Sequence, residues 1–227
     1  MPLRPHLSCR LFIFDLDGTL IDSRADITNS VNLALGGVNL RPVGQSRITE
    51  FVGNGVQVLV ERTLEESIGS KPAVSLVRET VTKYLEAYES HLLDETVLYA
   101  GTKDALVYLC WASKAVITNK PERFSRRILE ELGVADLFCT ILGGDSIAGK
   151  KPDPAPLQMV MSQCGVNPGQ TWMVGDSLVD VRAGKAAGTW ICGISGGFRP
   201  RAELEAAGCD LILDSVAELP GHFAPPG

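Results

Sequence analysis

The sequence predicts an α/β fold, a parallel sheet with helices on both faces, interrupted near its start by an all-helical insertion. Three observations carry that expectation. Short apolar runs end abruptly in polar loops at residues 11–14, 115–117, 172–174, 191–194 and 211–213, the pattern of strands buried on both faces. Helical stretches closed by glycine lie between them, residues 124–132 before Gly133 and 180–187 before Gly188, and strands that alternate with helices pair in parallel. Between Asp22 and Leu98 the rhythm changes, and apolar residues recur only at helical spacing.

In chain order, the first run is Leu-Phe-Ile-Phe, which delivers the polar string Asp15-Leu16-Asp17-Gly18-Thr19 at its end. The insertion then shows three helical stripes: Ile27, Val31, Leu35; Val56, Leu59, Val60, Leu64; and Val77, Val81, Leu85, Tyr88. Its connectors, Gly36-Gly37, Pro42, Gly53-Asn54-Gly55 and residues 69–72, are rich in helix breakers. The expected division is a core of residues 1–21 and 99–227 and a helical cap of residues 22–98, placed by its point of insertion to close over the polar loop. Residues 220–227 are expected to fray.

With 227 residues, 45% of them apolar, the chain can bury one good core and a smaller appended unit. Its 21 Lys and Arg stand against 27 Asp and Glu, and no basic tract appears, so no nucleic-acid partner is expected. No apolar run reaches the roughly 18 residues that span a membrane. An acidic chain that handles a phosphorylated metabolite needs local cations or a divalent ion to reverse the field. Cys9, Cys110, Cys139, Cys164, Cys192 and Cys209 form no C-x-x-C pair, and no signal-peptide pattern opens the chain. A reducing cytoplasm is expected. His6, His91 and His222 show no ligand spacing.

Four stations carry chemistry. Asp15 and Asp17, two apart at the end of a buried strand, are costly to desolvate without a cation. A carboxylate at Asp15 can serve as a nucleophile and one at Asp17 as an acid/base, while Gly18 lets the chain turn so that backbone amides meet phosphoryl oxygens. A plain Asp-Gly turn is the alternative for that dipeptide alone. Thr118 and Asn119 end the second strand with a hydroxyl and an amide that suit either phosphate or a helix N-cap. Of Lys150 and Lys151, the position before Pro152 favours Lys151 as the inward cation. Asp176, after Gly175, suits a hard-cation ligand, and Asp180 either supports that site or complements the helix dipole.

Taken together and in order, Asp15 to Ser23, Thr118-Asn119, Lys151 to Pro154 and Gly175 to Asp180 resemble the motifs of the haloacid dehalogenase superfamily. The resemblance covers nearly the whole chain. It implies a Rossmann-like core with a helical cap of the C1 type, Mg2+ as cofactor, and phosphatase activity through an aspartyl-phosphate. By that resemblance Asp15 is the nucleophile and Asp17 the acid/base. The metal is held by Asp15, the backbone carbonyl of Asp17 and Asp176, with Asp180 in support, while Thr118 and Lys151 hold phosphate. The string Phe51-Val52-Gly53-Asn54-Gly55 is similar to the cap of the bacterial phosphoglycolate phosphatases, as are Thr118 to Pro121 and Gly143-Gly144-Asp145. A Gly-x-Gly loop that opens a helix can receive the carboxylate of a small anionic substrate or serve as an ordinary turn. Arg62, further along that helix, is expected in a surface or boundary ion pair. Two departures, the short stretch 109–114 and Tyr99-Ala100-Gly101 in place of a Pro-Gly pair, concern a local helix ending.

Asp17 and Asp176 argue against a halide-displacing enzyme, which needs neither, and the absence of a lysine near Gly53 argues against a phosphonate hydrolase. Pyrophosphatases, sugar-phosphate phosphatases and phosphomutases of the same superfamily keep all four motifs and stay open. A non-enzymatic phospho-acceptor module distributes its acids differently and has no use for the insertion. The expected partner is a small phosphorylated metabolite, and the expected assembly a monomer or homodimer.

Overall fold

In a computed structural model the chain is described over residues 9–225, so His6 lies outside the described residues. Along it run β1 (Leu11–Phe14), β2 (Ile21–Asp22), α1 (Arg24–Gly36), α2 (Gln45–Phe51), α3 (Val56–Ile68), α4 (Val74–Ser90) and β3 (Val97–Leu98). Strands and helices then alternate: α5 (Thr102–Tyr108), β4 (Ser113–Ile117), α6 (Glu122–Glu131), β5 (Thr140–Leu142), α7 (Ala155–Cys164) and β6 (Thr171–Gly175). The series closes with α8 (Leu178–Ala187), β7 (Trp190–Ile194), α9 (Arg201–Ala207), β8 (Leu211–Leu213) and α10 (Leu219–His222). The chain divides into two compact units, one up to Ile21 and from Leu98 onward, the other from Asp22 to Val97.

In the α/β unit six strands lie in the order β5-β4-β1-β6-β7-β8, every neighbouring pair parallel. All four residues of β1 are fully buried, as expected of the central strand, and each such side chain contributes about 1.5–3 kcal/mol of transfer free energy. The register sets Phe14 beside Val116 on β4 and beside Val174 on β6, so three strands end level with one another. The chain passes from β1 to β4 and β5 on one side and then crosses to β6 on the other. The carboxyl ends of β1 and β6 therefore flank a topological switch point, where open α/β sheets bind ligands.

Three local details differ from expectation. Strand β5 is an edge strand of three residues, too short to leave a periodic signal before Gly143-Gly144. Helix α2 carries only Ile48 and Phe51 as buried apolar residues, which is too few to mark a stripe. The tail does not fray where expected. Leu219 and Phe223 are buried, and the Phe223 ring sits edge-on to Phe12 at 4.9 Å and to Trp172 at 5.0 Å, so an aromatic anchor holds it down to that point. At the first of the departures noted above, α5 passes into a 3-10 turn over Leu109–Trp111 before β4 begins at Ser113.

In the helical unit α1 and α3 both pack on α4. Its one fully buried carboxylate is Asp26, in the first turn of α1, which accepts hydrogen bonds from the Glu95 N–H at 3.0 Å, the Thr96 N–H at 2.8 Å and the Thr96 hydroxyl at 2.7 Å. That clamp ties the segment after α4 back to the start of α1.

Candidate active site

The site grows from the level ends of β1, β4 and β6. The Asp15 N–H continues the ladder to the Val174 carbonyl at 2.9 Å, which fixes the backbone that carries the first carboxylate. Beyond it the Leu16 carbonyl accepts from the amides of Thr19, Leu20 and Ile21, folding the polar string into a tight turn. Gly18 stands there at φ +83°, and a Cβ on it would collide with the Asp176 carboxylate, so glycine is required on both counts. Its own amide donates to the Ile21 carbonyl at 2.9 Å. That amide is engaged within the turn, and the conformation glycine permits here is the one expected of Gly18 from the sequence.

Lys151 is the inward lysine, and Lys150 is exposed. The buried Lys151 ammonium lies 2.8 Å from Asp15 Oδ1 and 2.6 Å from Asp180 Oδ1. The other oxygen of Asp180 accepts from the Ser177 N–H at 3.1 Å and the Ser177 hydroxyl at 2.6 Å, a capping box at the start of α8. Asp180 thus acts as the helix-cap acid and, through its other oxygen, holds Lys151. Asp176 Oδ2 accepts from the Phe198 N–H at 2.6 Å, and its Oδ1 faces the Thr19 hydroxyl at 3.4 Å. Carboxylate oxygens of Asp15, Asp176 and Asp180 all lie within 4.8 Å of one another, in buried surroundings.

The electrostatics follow. Burial, and then the Asp180 charge, push the Asp15 carboxyl up to about 6 against the opposing pull of Lys151. Burial and the charges of Asp15 and Asp180 hold Asp176 well above the usual carboxylate range. For Lys151 burial acts to lower the pKa, but the two carboxylates outweigh it and leave it raised. Like charges at such a separation repel by about 3 kcal/mol per pair at an effective dielectric of about 20. Three carboxylates against the Lys151 ammonium, with Arg199 acting on Asp176, still leave an excess of negative charge that a divalent cation would offset. The donor set, carboxylate oxygens only, suits a hard divalent ion.

The loop after β4 closes the other side. Thr118 and Asn119 are buried, and the Asn119 side-chain amide donates to the Lys151 carbonyl at 2.8 Å, tying the two loops together. Asp17 turns away from the acid cluster and pairs with Lys120 at 2.5 Å. Gly144 donates to the Lys120 carbonyl at 2.9 Å, and Asp145 accepts from the Glu122 amide at 2.8 Å, so the loop after β5 braces this one.

Two contributors were not singled out by the sequence reading. Lys120 stands directly after Thr118-Asn119 and is marked only by that position, whereas the Phe198 amide belongs to a loop whose signal was the Gly196-Gly197 pair after β7. Gly53, Asn54 and Gly55 lie in the helical unit, where Gly53 and Gly55 take φ +109° and +90° and Gly55 precedes α3. Arg62 is exposed on α3, and the exposed His91 meets Asp94 at 2.7 Å. His222 ends α10.

A family model described as haloacid dehalogenase-like hydrolase matches residues 12–194. A phosphoglycolate phosphatase of Pseudomonas putida is 42% identical over 228 residues, covering 98% of this chain and 83% of its own length. One from Colwellia psychrerythraea is 38% identical, covering 92% of this chain and 94% of its own. Among solved structures, one from Haemophilus somnus, described as a predicted phosphoglycolate phosphatase, superposes with a TM-score of 0.88 at 31% identity, covering 93% of this chain and 96% of that one. Among the described residues no helix is long and apolar enough to cross a membrane.

Proposed function

The chain belongs to the haloacid dehalogenase-like hydrolase family, and on that premise we propose that it is a magnesium-dependent phosphatase that hydrolyses 2-phosphoglycolate to glycolate and phosphate. The observation that carries the proposal is the Asp15 carboxylate at the end of β1, held 2.8 Å from Lys151 with Asp176 and Asp180 beside it. The choice of ester is supported by the relatives' names, at up to 42% identity over 98% of this chain.

In the proposed reaction an oxygen of Asp15 attacks phosphorus, the bond from phosphorus to the glycolate oxygen breaks, and Asp17 gives that oxygen a proton. Water, losing a proton to Asp17, then attacks the aspartyl-phosphate and releases inorganic phosphate with Asp15 restored. Lys151 neutralises the incoming phosphoryl oxygens, and the Thr118 hydroxyl donates to one of them. Asp180 holds Lys151 in place through the 2.6 Å contact. Asp17 rests on Lys120 between its two proton transfers. Asp15, Asp176 and the backbone carbonyl of Asp17 would hold magnesium, which when bound supplies charge neutralisation at the reacting centre. A cytoplasmic setting is supported by six cysteines that are all free thiols.

The test is phosphate release by the purified protein, with magnesium or with chelator, from 2-phosphoglycolate, pyrophosphate, sugar phosphates and N-acetylmuramic acid 6-phosphate. The expected result is metal-dependent release with the highest kcat/KM for 2-phosphoglycolate. Preference for another ester overturns the substrate, and no metal-dependent release from any of them overturns the activity.

A further inference from the structure

Away from the reaction centre, two thiols face each other. Cys139 precedes the edge strand β5 and is exposed, while Cys164 is the last residue of α7 and is half-buried. Their sulfurs are 3.7 Å apart. The neighbours in each segment also meet, Thr140 Oγ1 lying 3.5 Å from Gln163 Oε1, so the two segments run side by side rather than touching at one atom. The Cys139 backbone is pinned by its amide to the Lys114 carbonyl at 2.8 Å. None of the other four cysteines has its sulfur within hydrogen-bonding distance of a second thiol among the described contacts.

We propose that Cys139 and Cys164 are a reversible oxidation site, converted by a hydroperoxide into an intramolecular disulfide. A disulfide needs its sulfurs at about 2.05 Å, so from 3.7 Å they must close by about 1.7 Å. Cys139, the exposed thiol, reacts first. Its thiolate attacks one peroxide oxygen, a sulfur–oxygen bond forms as the oxygen–oxygen bond breaks, and the departing hydroxide takes up a proton to become water. Cys164 then loses its proton and attacks the sulfenic sulfur, the sulfur–sulfur bond forms, and the oxygen leaves as a second water. Each sulfur gives up one electron, and the peroxide takes both. In the reduced pair burial, and then the neighbouring Cys139, push the Cys164 thiol up to about 11; burial still disfavours its thiolate in the second step, which therefore quickens as pH rises.

The cross-link closes a loop from residue 139 to residue 164 that carries Lys151. Cys164 lies at the opposite end of α7 from the Lys151 loop, about 15 Å along a ten-residue helix. The disulfide therefore leaves Lys151 in place. It ties down the edge strand, restricts the unfolded chain, and protects Cys139 from irreversible oxidation to the sulfinic acid.

The test treats the full chain with hydrogen peroxide at about pH 8, blocks the remaining thiols with N-ethylmaleimide, and maps the peptides by mass, for the wild type, Cys139→Ser, Cys164→Ser and Cys110→Ser. The expected result is a Cys139–Cys164 peptide lacking two hydrogens in the wild type and in Cys110→Ser, reversed by dithiothreitol, with a Tm several degrees above the reduced form. In Cys164→Ser, Cys139 should pass to the sulfinic acid several-fold faster than in the wild type. The proposal is overturned if wild-type Cys139 reaches the sulfinic acid at the rate seen in Cys164→Ser, or if Cys139 is recovered only in disulfides between two chains.

Discussion

With divalent metal removed, this protein should lose stability as pH rises from about 4 to about 6, the reverse of ordinary acid denaturation. The Asp15 carboxyl moves from 3.8 to about 6 on folding, so between those values the folded chain holds a proton that the unfolded chain has released. Stability falls wherever the folded state binds more protons, so this contribution is lost as pH climbs through the window and stays lost above it. A shift of about two pKa units corresponds to about 3 kcal/mol, or about 6–12 °C in Tm for a chain of this size. Asp176, also held high, acts in the same direction. Asp22 and Glu122 are held low, the first by its hydrogen bond to Arg24 and the second by Ser146, so their stabilisation fails only as pH drops below the ordinary carboxylate range. The assay is a thermal melt in chelator at several pH values across the window, repeated with magnesium. Magnesium should raise Tm strongly at pH 7.5 and weakly near pH 5, because only the ionised cluster binds it. Asp176→Asn, which keeps an acceptor for the Phe198 amide and removes one charge, should raise the chelated Tm at pH 7.5 and shrink the magnesium increment. A chelated Tm that is flat or rising from about pH 4 to 6 would refute the electrostatic account of the cluster.

Asp15→Asn should abolish turnover while keeping a cooperative thermal transition, since the shape is kept and the nucleophile removed; substantial release by a homogeneous preparation sinks the mechanism. Asp26→Ala should cost about 2–4 kcal/mol in a denaturant titration, because the Glu95 and Thr96 amides lose their acceptor inside the helical unit. Phe223→Ala should cost about 3–5 kcal/mol by the same measurement, and an effect under about 1 kcal/mol would mean that the tail contributes little to the core. Lys120→Met should lower kcat and destabilise the fold by about 3 kcal/mol, since it leaves the Asp17 carboxylate nearly buried without its lysine; unchanged kcat would remove Asp17 from proton transfer.

How much of this was legible depends on whether a feature left a periodic or chemical mark. Strands β1, β4, β6, β7 and β8 are apolar runs that stop at a polar residue, and each stop is visible. Strand β5 and helix α2 are stabilised by what surrounds them, with too few apolar residues of their own to show a period. Phe223 looks like one more aromatic residue in a Pro- and Gly-rich tail, and only the positions of Phe12 and Trp172 reveal its pocket. The acids Asp15 and Asp176 were legible because carboxylates at the ends of buried strands are expensive, and Asp180 because an acid in the first turn of a helix has a use there. The partners they use within the protein, a Phe198 amide and a Ser177 hydroxyl, carry no such cost and left little trace.

The clearest case of a short string with several destinations is Thr118-Asn119-Lys120. As a dipeptide, Thr-Asn after a strand is equally an N-cap, and the lysine behind it resembles any solvated cation. In the fold the three side chains face different needs. Thr118 offers its hydroxyl one residue beyond the level of Asp15, because Phe14 on β1 pairs with Val116 on β4. Asn119 reaches across 32 residues to the Lys151 carbonyl and so sets the loop that presents the buried ammonium. Lys120 reaches across 103 residues to the Asp17 carboxylate. One loop after β4 thereby fixes the proposed phosphate donor, the loop of the cation and the resting place of the proposed acid/base. A change of length there displaces all three at once, whereas a change at any one side chain leaves the other two anchored.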